Sequence, residues 1–220
     1  MNSNRNTNEA SASSIIDSRI IINNGSIAST GKVSYFEGDI IEGEFTDYHL
    51  FEIGKKARVT IHTSNEVFVF FSVILAKDNG LLILLHPPEH TIYPTDRRIS
   101  PRVPYQINAL MKAVKPAILT IKVPLGIPLP MEIKNVSLTG IHFTTLNNIG
   151  MKKDYHADIE LQLGTLLINE IAIVRVVDQQ DCVNYGATFL NLQTDQLIEL
   201  KSFLLLTQIE NRAIYRVSNQ

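Results

Sequence analysis

Three arginines stand within six residues, at Arg97, Arg98 and Arg102. A guanidinium is a planar fork of N–H donors. It matches a phosphate, or the O6/N7 edge of guanine, through paired hydrogen bonds. Arg98 and Arg102 are four positions apart. In an extended segment that spacing puts them on one side and up to ~13–14 Å apart. Pro101 favours this geometry, because it pushes Ser100 away from helical backbone angles. Such a pair can clamp something small and anionic, a purine nucleotide included. Thirty-three residues after Arg102 begins the run Asn135-Val136-Ser137-Leu138-Thr139-Gly140. On a strand Asn135 and Ser137 share a face. The amide can read a base edge, and the hydroxyl a base or a phosphate. Gly140 admits close backbone approach and an unusual φ. Read singly, the arginines also fit solvated linker charges, and the second run also fits an Asx-type turn without a ligand.

The elements that must position these groups read as strands. Residues 40–45, 57–62, 66–75 and 81–85 are rich in Val, Ile, Phe and Leu, and 57–62 alternates apolar with polar. Asp78-Asn79-Gly80 is a tight-turn signal between the last two runs. Residues 15–27 hold six isoleucines and fit a short strand or helix. The prolines at 87, 88 and 94 then interrupt the pattern, since a proline cannot donate to a sheet. A domain boundary is expected near residue 94. Beyond it, strands are expected at 105–114, 117–123, 129–136, 141–145, 156–163, 168–177 and 183–190. From Leu192 to Leu206 the apolar residues recur at steps of three and four, which predicts a helix of about 15 residues capped by Thr194 or Asn191. The fold class is therefore all-β with a C-terminal helix: a small antiparallel barrel over 15–94, a second over 95–208, a disordered tail at 1–14 and a tail at 209–220.

Composition limits the function. The chain has 220 residues, 20 Lys and Arg against 22 Asp and Glu, and a formal net charge of −2. A protein that coats nucleic acid needs a cationic excess, so that class is excluded. Cys182 is the only cysteine, so no internal disulfide and no multi-thiolate metal site can form, and a reducing cytoplasm is the expected compartment. The longest apolar run is about half of the ~20 residues that a membrane span needs.

The two motifs together, Arg-x-x-x-Arg at Arg98 and Arg102 and Asn-x-Ser-x-x-Gly at Asn135, Ser137 and Gly140, closely resemble those of the PilZ domain family. The resemblance extends to Val174-Arg175, to Tyr185-Gly186-Ala187-Thr188-Phe189 and to the Leu-rich C-terminal helix, about half the chain. It implies a six-stranded barrel that binds cyclic di-GMP, a bacterial messenger with two guanines and two phosphates. Arg97, Arg98 and Arg102 would hold phosphates and guanine edges, Asn135 and Ser137 a base or phosphate, and Gly140 would shape the turn. Asn135 stands where the family also uses Asp, which removes a carboxylate acceptor for a guanine. The first region, with Gly54-Lys55-Lys56-Ala57-Arg58-Val59, makes the whole similar to a YcgR-like arrangement of two barrels. That arrangement implies a receptor that changes shape when the ligand draws the arginine linker onto the barrel. The expected output is control of motility, exopolysaccharide or biofilm, through a flagellar-motor or polysaccharide-synthase component as protein partner. An adaptor built on the same barrel, working without nucleotide, is the alternative.

Other residues carry less. His86 and His90 flank Pro-Pro-Glu without a third ligand and fit exposed loop residues. Asp154, His156 and Asp158 fit a charged barrel surface. Phe68, Phe70 and Phe71 fit a core. There is no nucleophile elbow, no P-loop and no Gly-x-Gly-x-x-Gly run, so no catalytic residue, metal or cofactor is expected and the protein is not expected to be an enzyme.

Overall fold

The computed structural model describes residues 15–64, 66–86, 100–119, 121–146, 149–179 and 182–218. The chain divides into two compact units, Met1–Ile99 and Ser100–Gln220. Each contains one closed six-stranded antiparallel barrel.

In the first unit the strands are β1 (Arg19–Asn23), β2 (Ala28–Glu37), β3 (Ile40–Glu44), β4 (Lys56–His62), β5 (Val67–Asp78) and β6 (Leu81–Leu85). They close in the order β1-β2-β3-β6-β5-β4. Alternation decides what each strand buries: Ala57, Val59 and Ile61 of β4 point inward, as the sequence period requires. The β5–β6 hairpin turns through Asn79 and Gly80, both at positive φ (41° and 87°). That is the two-residue turn whose twist matches its strands. β2 was not among the expected strands. Its Ala-Ser-Thr-Gly-Lys start has little apolar content, yet it pairs with β1 and β3 along most of its length. Two expectations about side chains are corrected. Phe70 is buried, but Phe71 is 73% exposed, because neighbouring residues of one strand face opposite ways. His86 is not an exposed loop residue; it is buried, edge-on to Phe36 with ring centroids 5.0 Å apart. His90 lies outside the described residues.

The second unit holds β7 (Val103–Lys115), β8 (Val123–Ser137), β9 (Gly140–Thr145), β10 (His156–Leu163), β11 (Thr165–Asp178), β12 (Val183–Leu190) and α1 (Thr194–Ser218). The barrel order is β10-β11-β12-β9-β8-β7. The strand expected at 117–123 does not form. The chain leaves β7 at Pro116, whose carbonyl accepts a turn hydrogen bond from the Leu119 N–H at 3.0 Å, and Ile118 is 91% exposed. The strand expected at 129–136 instead starts at Val123. Pro124, Pro128 and Pro130 are tolerated because β8 meets β9 only from Glu132 onward, so its first half has one partner, β7. A register shift between Met111 and Ala113 accommodates Gly126 and its neighbours.

Helix α1 runs 25 residues, longer than the expected 15 or so, since no Gly or Pro stops it. Neither Thr194 nor Asn191 caps it. The Leu197 N–H donates to the Gln193 carbonyl, and the Gln193 N–H donates to Gln196 Oε1 at 3.1 Å. The Gln196 side chain thus supplies one half of a capping box, while the Gln193 side chain donates instead to the Asn191 carbonyl at 3.1 Å. Leu200 and Leu204 join the barrel core, and Phe203 meets Tyr105 edge-on at 4.8 Å. On the outer surface Lys122 bridges Asp158 (2.6 Å) and Glu170 (3.0 Å), and His156 Nδ1 lies 2.8 Å from Glu170. His156 and Asp158 therefore belong to a charged barrel face as expected. Asp154 instead sits in a turn at φ 68°.

Candidate functional site

The second barrel carries a hollow of about 390 Å³ on the side built by β8, β9, β11 and β12. Arg102, Asn135, Ser137 and Gly140 all line it. Arg97 and Arg98 lie outside the described residues.

Local structure explains the convergence. Ser100 is buried, and its Oγ accepts the Leu138 N–H at 3.0 Å, which ties the chain just before β7 to the β8–β9 turn. Arg102 follows two residues later with an exposed side chain. Across the ladder Pro104 faces Asn135. The β8–β9 turn is braced from within. Ser137 Oγ donates to the Gly140 carbonyl at 3.2 Å and lies 3.3 Å from Thr139 Oγ1, while the Thr139 carbonyl accepts from the Phe189 N–H of β12 at 3.0 Å. Of the two reasons expected for glycine at 140, close approach holds and an unusual φ does not. Its φ is not positive. A Cβ there would instead collide with the Ala187 carbonyl oxygen of β12, so close backbone approach alone demands glycine.

The lining also includes the polar side chains of His142, Arg175 and Asn184. His142 follows Gly140 by two positions on β9, and its Nδ1 is 3.3 Å from Asn135 Nδ2. Arg175 sits where β11 slips register against β12, opposite Gly186. A Cβ on Gly186 would touch the Arg175 Cβ at 3.4 Å, so the glycine leaves that side chain room. In the sequence Arg175 and Gly186 figure only as part of the family resemblance, without a place in the site. The signal available was one arginine inside the apolar run Ile171-Ala172-Ile173-Val174-Arg175-Val176-Val177.

The electrostatics are one-sided. Burial pushes the His142 pKa below its ordinary value; a side-chain hydrogen bond with Asn184 opposes this, and the charges of Arg102, Arg175 and Lys134 lower it further. Three cations from three different elements therefore act on one imidazole, which is neutral at neutral pH. Among the described residues the lining contains no carboxylate. A neutral His142 whose Nδ1 faces the Asn135 amide N–H fixes that amide's orientation. The hollow thus offers guanidinium forks, amides, hydroxyls and an imidazole to an anion with hydrogen-bonding edges. No group of three or more His, Cys, Asp or Glu with metal-binding geometry occurs among the described residues.

No protein-family model and no curated protein matches the chain. Its neighbours among solved structures are PilZ-domain proteins. The Bacillus subtilis inhibitor of motility MotI/DgrA shares 12% identity, with 89% of this chain and 97% of that one covered at a TM-score of 0.43. Escherichia coli YcgR in complex with c-di-GMP shares 11%, covering 92% and 88%, at 0.41. The PilZ domain of the same protein with c-di-GMP shares 13%, covering 55% and 98%, at 0.43.

Proposed function

We propose that the second barrel is a PilZ-type receptor for cyclic di-GMP and that the protein is a ligand-responsive regulator with no catalytic activity of its own. One observation supports the reading: Arg102, the described member of the arginine motif, lines the same hollow as Asn135, Ser137 and Gly140, where Arg175 joins them and the described lining holds no carboxylate. A cyclic dinucleotide has what this lining complements. Its phosphates take the guanidinium groups, and its guanine edges take an Arg fork or an amide. Arg97 and Arg98, on the chain leading to Ser100, would close over the ligand from the linker side. Ligand binding would then change the arrangement of the two units. The output would be control of motility, exopolysaccharide or biofilm through a flagellar-motor or polysaccharide-synthase component.

Calorimetry on the full chain tests the core of this reading. Cyclic di-GMP is expected to bind at micromolar concentration or below, and GMP and cyclic AMP far more weakly. A ligand present at 100 times its dissociation constant should also add about 2.7 kcal/mol of stability, visible as a rise in Tm. Folded protein that shows neither heat nor a Tm shift at tens of micromolar ligand overturns the receptor reading in favour of a nucleotide-independent adaptor.

A further inference from the structure

The first barrel has a face whose side chains are unlike the rest of that unit. On β5, Val67, Val69 and Phe71 point outward and are 56%, 43% and 73% exposed. The ladder places each opposite an outward residue of β4 and, beyond it, of β1. Phe71 is level with Arg58 and Asn23, Val69 with Thr60 and Ile21, and Val67 with His62 and Arg19. Lys56 is level with Val73. An apolar row is therefore flanked along its length by Lys56, Arg58 and Arg19. None of these paired positions carries a carboxylate. The three cations form no ion pair among the described residues.

This segregation is not a default of composition. Residues 1–99 hold nine Lys and Arg against twelve Asp and Glu, so the unit as a whole is acidic. Elsewhere in the unit opposite charges pair: Lys32 with Asp17 at 2.7 Å and Lys55 with Glu52 at 3.9 Å. A cationic rim around exposed Val and Phe, with its counter-charges kept off the face, is the arrangement that a complementary partner requires.

We infer that the β1-β4-β5 face of the first barrel docks an acidic amphipathic helix of another protein. The barrel is closed, so no strand edge is open for a partner strand to extend, and recognition must use the face. Three adjacent strands span about 10 Å across, the width of one helix. An apolar helix stripe would cover Val67, Val69 and Phe71 while Glu and Asp on its flanks meet Arg19, Lys56 and Arg58. The site is separate from the hollow of the second barrel and does not depend on nucleotide.

The test uses the full chain and a synthetic helix of about 18 residues with Leu and Phe on one face and Glu and Asp on the other. Amide shifts in NMR titration are expected to concentrate in 19–23, 56–62 and 67–73. Phe71→Ser and Arg58→Glu are each expected to weaken binding at least tenfold, while Ile127→Ser on the second barrel leaves it unchanged. Raising salt from about 0.05 to about 0.5 M should weaken binding as the charges are screened. The inference is overturned by shifts centred elsewhere, by equal affinity in the two face variants, or by no peptide binding to folded protein. It is overturned equally by binding only to vesicles of phosphatidylcholine and phosphatidylglycerol, or by face-dependent dimerisation in sedimentation in place of peptide binding. Because cyclic di-GMP binding is measured on the same sample, failure here is distinct from failure of the receptor reading.

Discussion

Arg102 and His142 play different parts in the same hollow. Arg102 brings a permanent charge on an exposed side chain, so removing it leaves no buried orphan and should not disturb the fold. Charge-assisted hydrogen bonds are worth about 1.5–3 kcal/mol, which converts to roughly 10–150-fold in affinity. Arg102→Ala is therefore expected to weaken cyclic di-GMP binding within that range at unchanged Tm. Lys55→Ala, on a surface ion pair of the first unit, should change neither. Equal affinity in Arg102→Ala would remove the clamp. His142 instead responds to charge. Burial and the charges of Arg102, Arg175 and Lys134 hold its pKa down in the free protein. A bound dianion offsets those charges, so the pKa rises on binding and the complex takes up a proton that the free protein lacks. Affinity should therefore increase as pH falls through the pKa of the complex and level off below the pKa of the free protein. Since the ordinary value is 6.5 and the free value lies beneath it, the free-protein end of that window is below pH 6.5. His142→Asn should flatten the pH profile between about 5 and 7. A wild-type profile that is already flat there would show that the bound anion does not act on this imidazole.

At the scale of elements, the turn between β8 and β9 is the part on which the hollow depends. Ser100 holds it from the β7 side, Phe189 from β12, and Gly140 lets the backbones of β9 and β12 close up. Gly140→Ala puts a methyl into the Ala187 carbonyl. Overpacking of this kind costs about 1–3 kcal/mol, and in a chain of this size each kcal/mol moves Tm by roughly 2–4 °C. A Tm drop of several degrees together with weakened cyclic di-GMP binding is expected by calorimetry; an unchanged Tm would mean that the strands can part freely. Gly140 also shows how far the sequence could be read. Close backbone approach was legible from the motif, but its partner was not, because contact with Ala187 depends on β12 lying beside β9, a pairing of residues almost fifty positions apart. Most strands were legible because alternation is local. β2 was not, since its Ser, Thr and Gly earn their strand state from two neighbours and not from their own preference. The prolines of β8 hid a continuous strand, because only the ladder reveals that its first half meets a single partner. Arg175 and His142 escaped for a related reason: they reach the hollow through register, a bulge opposite Gly186 and a place on β9 beside Asn135, and neither is written in spacing along the chain.

For the whole molecule, the proposed receptor makes a prediction that follows from chain order. Arg97 and Arg98 precede Ser100 in sequence, whereas Arg102 and the hollow belong to Ser100–Gln220. If the proposed ligand engages the linker arginines as well as the hollow, its binding would favour the arrangements that allow both contacts. The available work is limited by differential affinity: ligand at 100 times its dissociation constant can bias the arrangement by at most about 2.7 kcal/mol, enough to turn an evenly mixed population almost wholly to one state. Donor and acceptor dyes placed at Glu52 and Glu199, exposed residues in different units, should report this as a change in energy transfer that saturates with the calorimetric binding curve. Arg98→Ala separates binding from its consequence. With Arg102, Asn135 and Ser137 intact the variant should still bind, more weakly, and at saturation its change in energy transfer should be much smaller than that of the wild type. A full-sized change in saturated Arg98→Ala would show that the second unit signals without the linker arginine. No change in the saturated wild type would mean that the ligand leaves the arrangement alone, and regulation would then have to act through the surface of the occupied barrel.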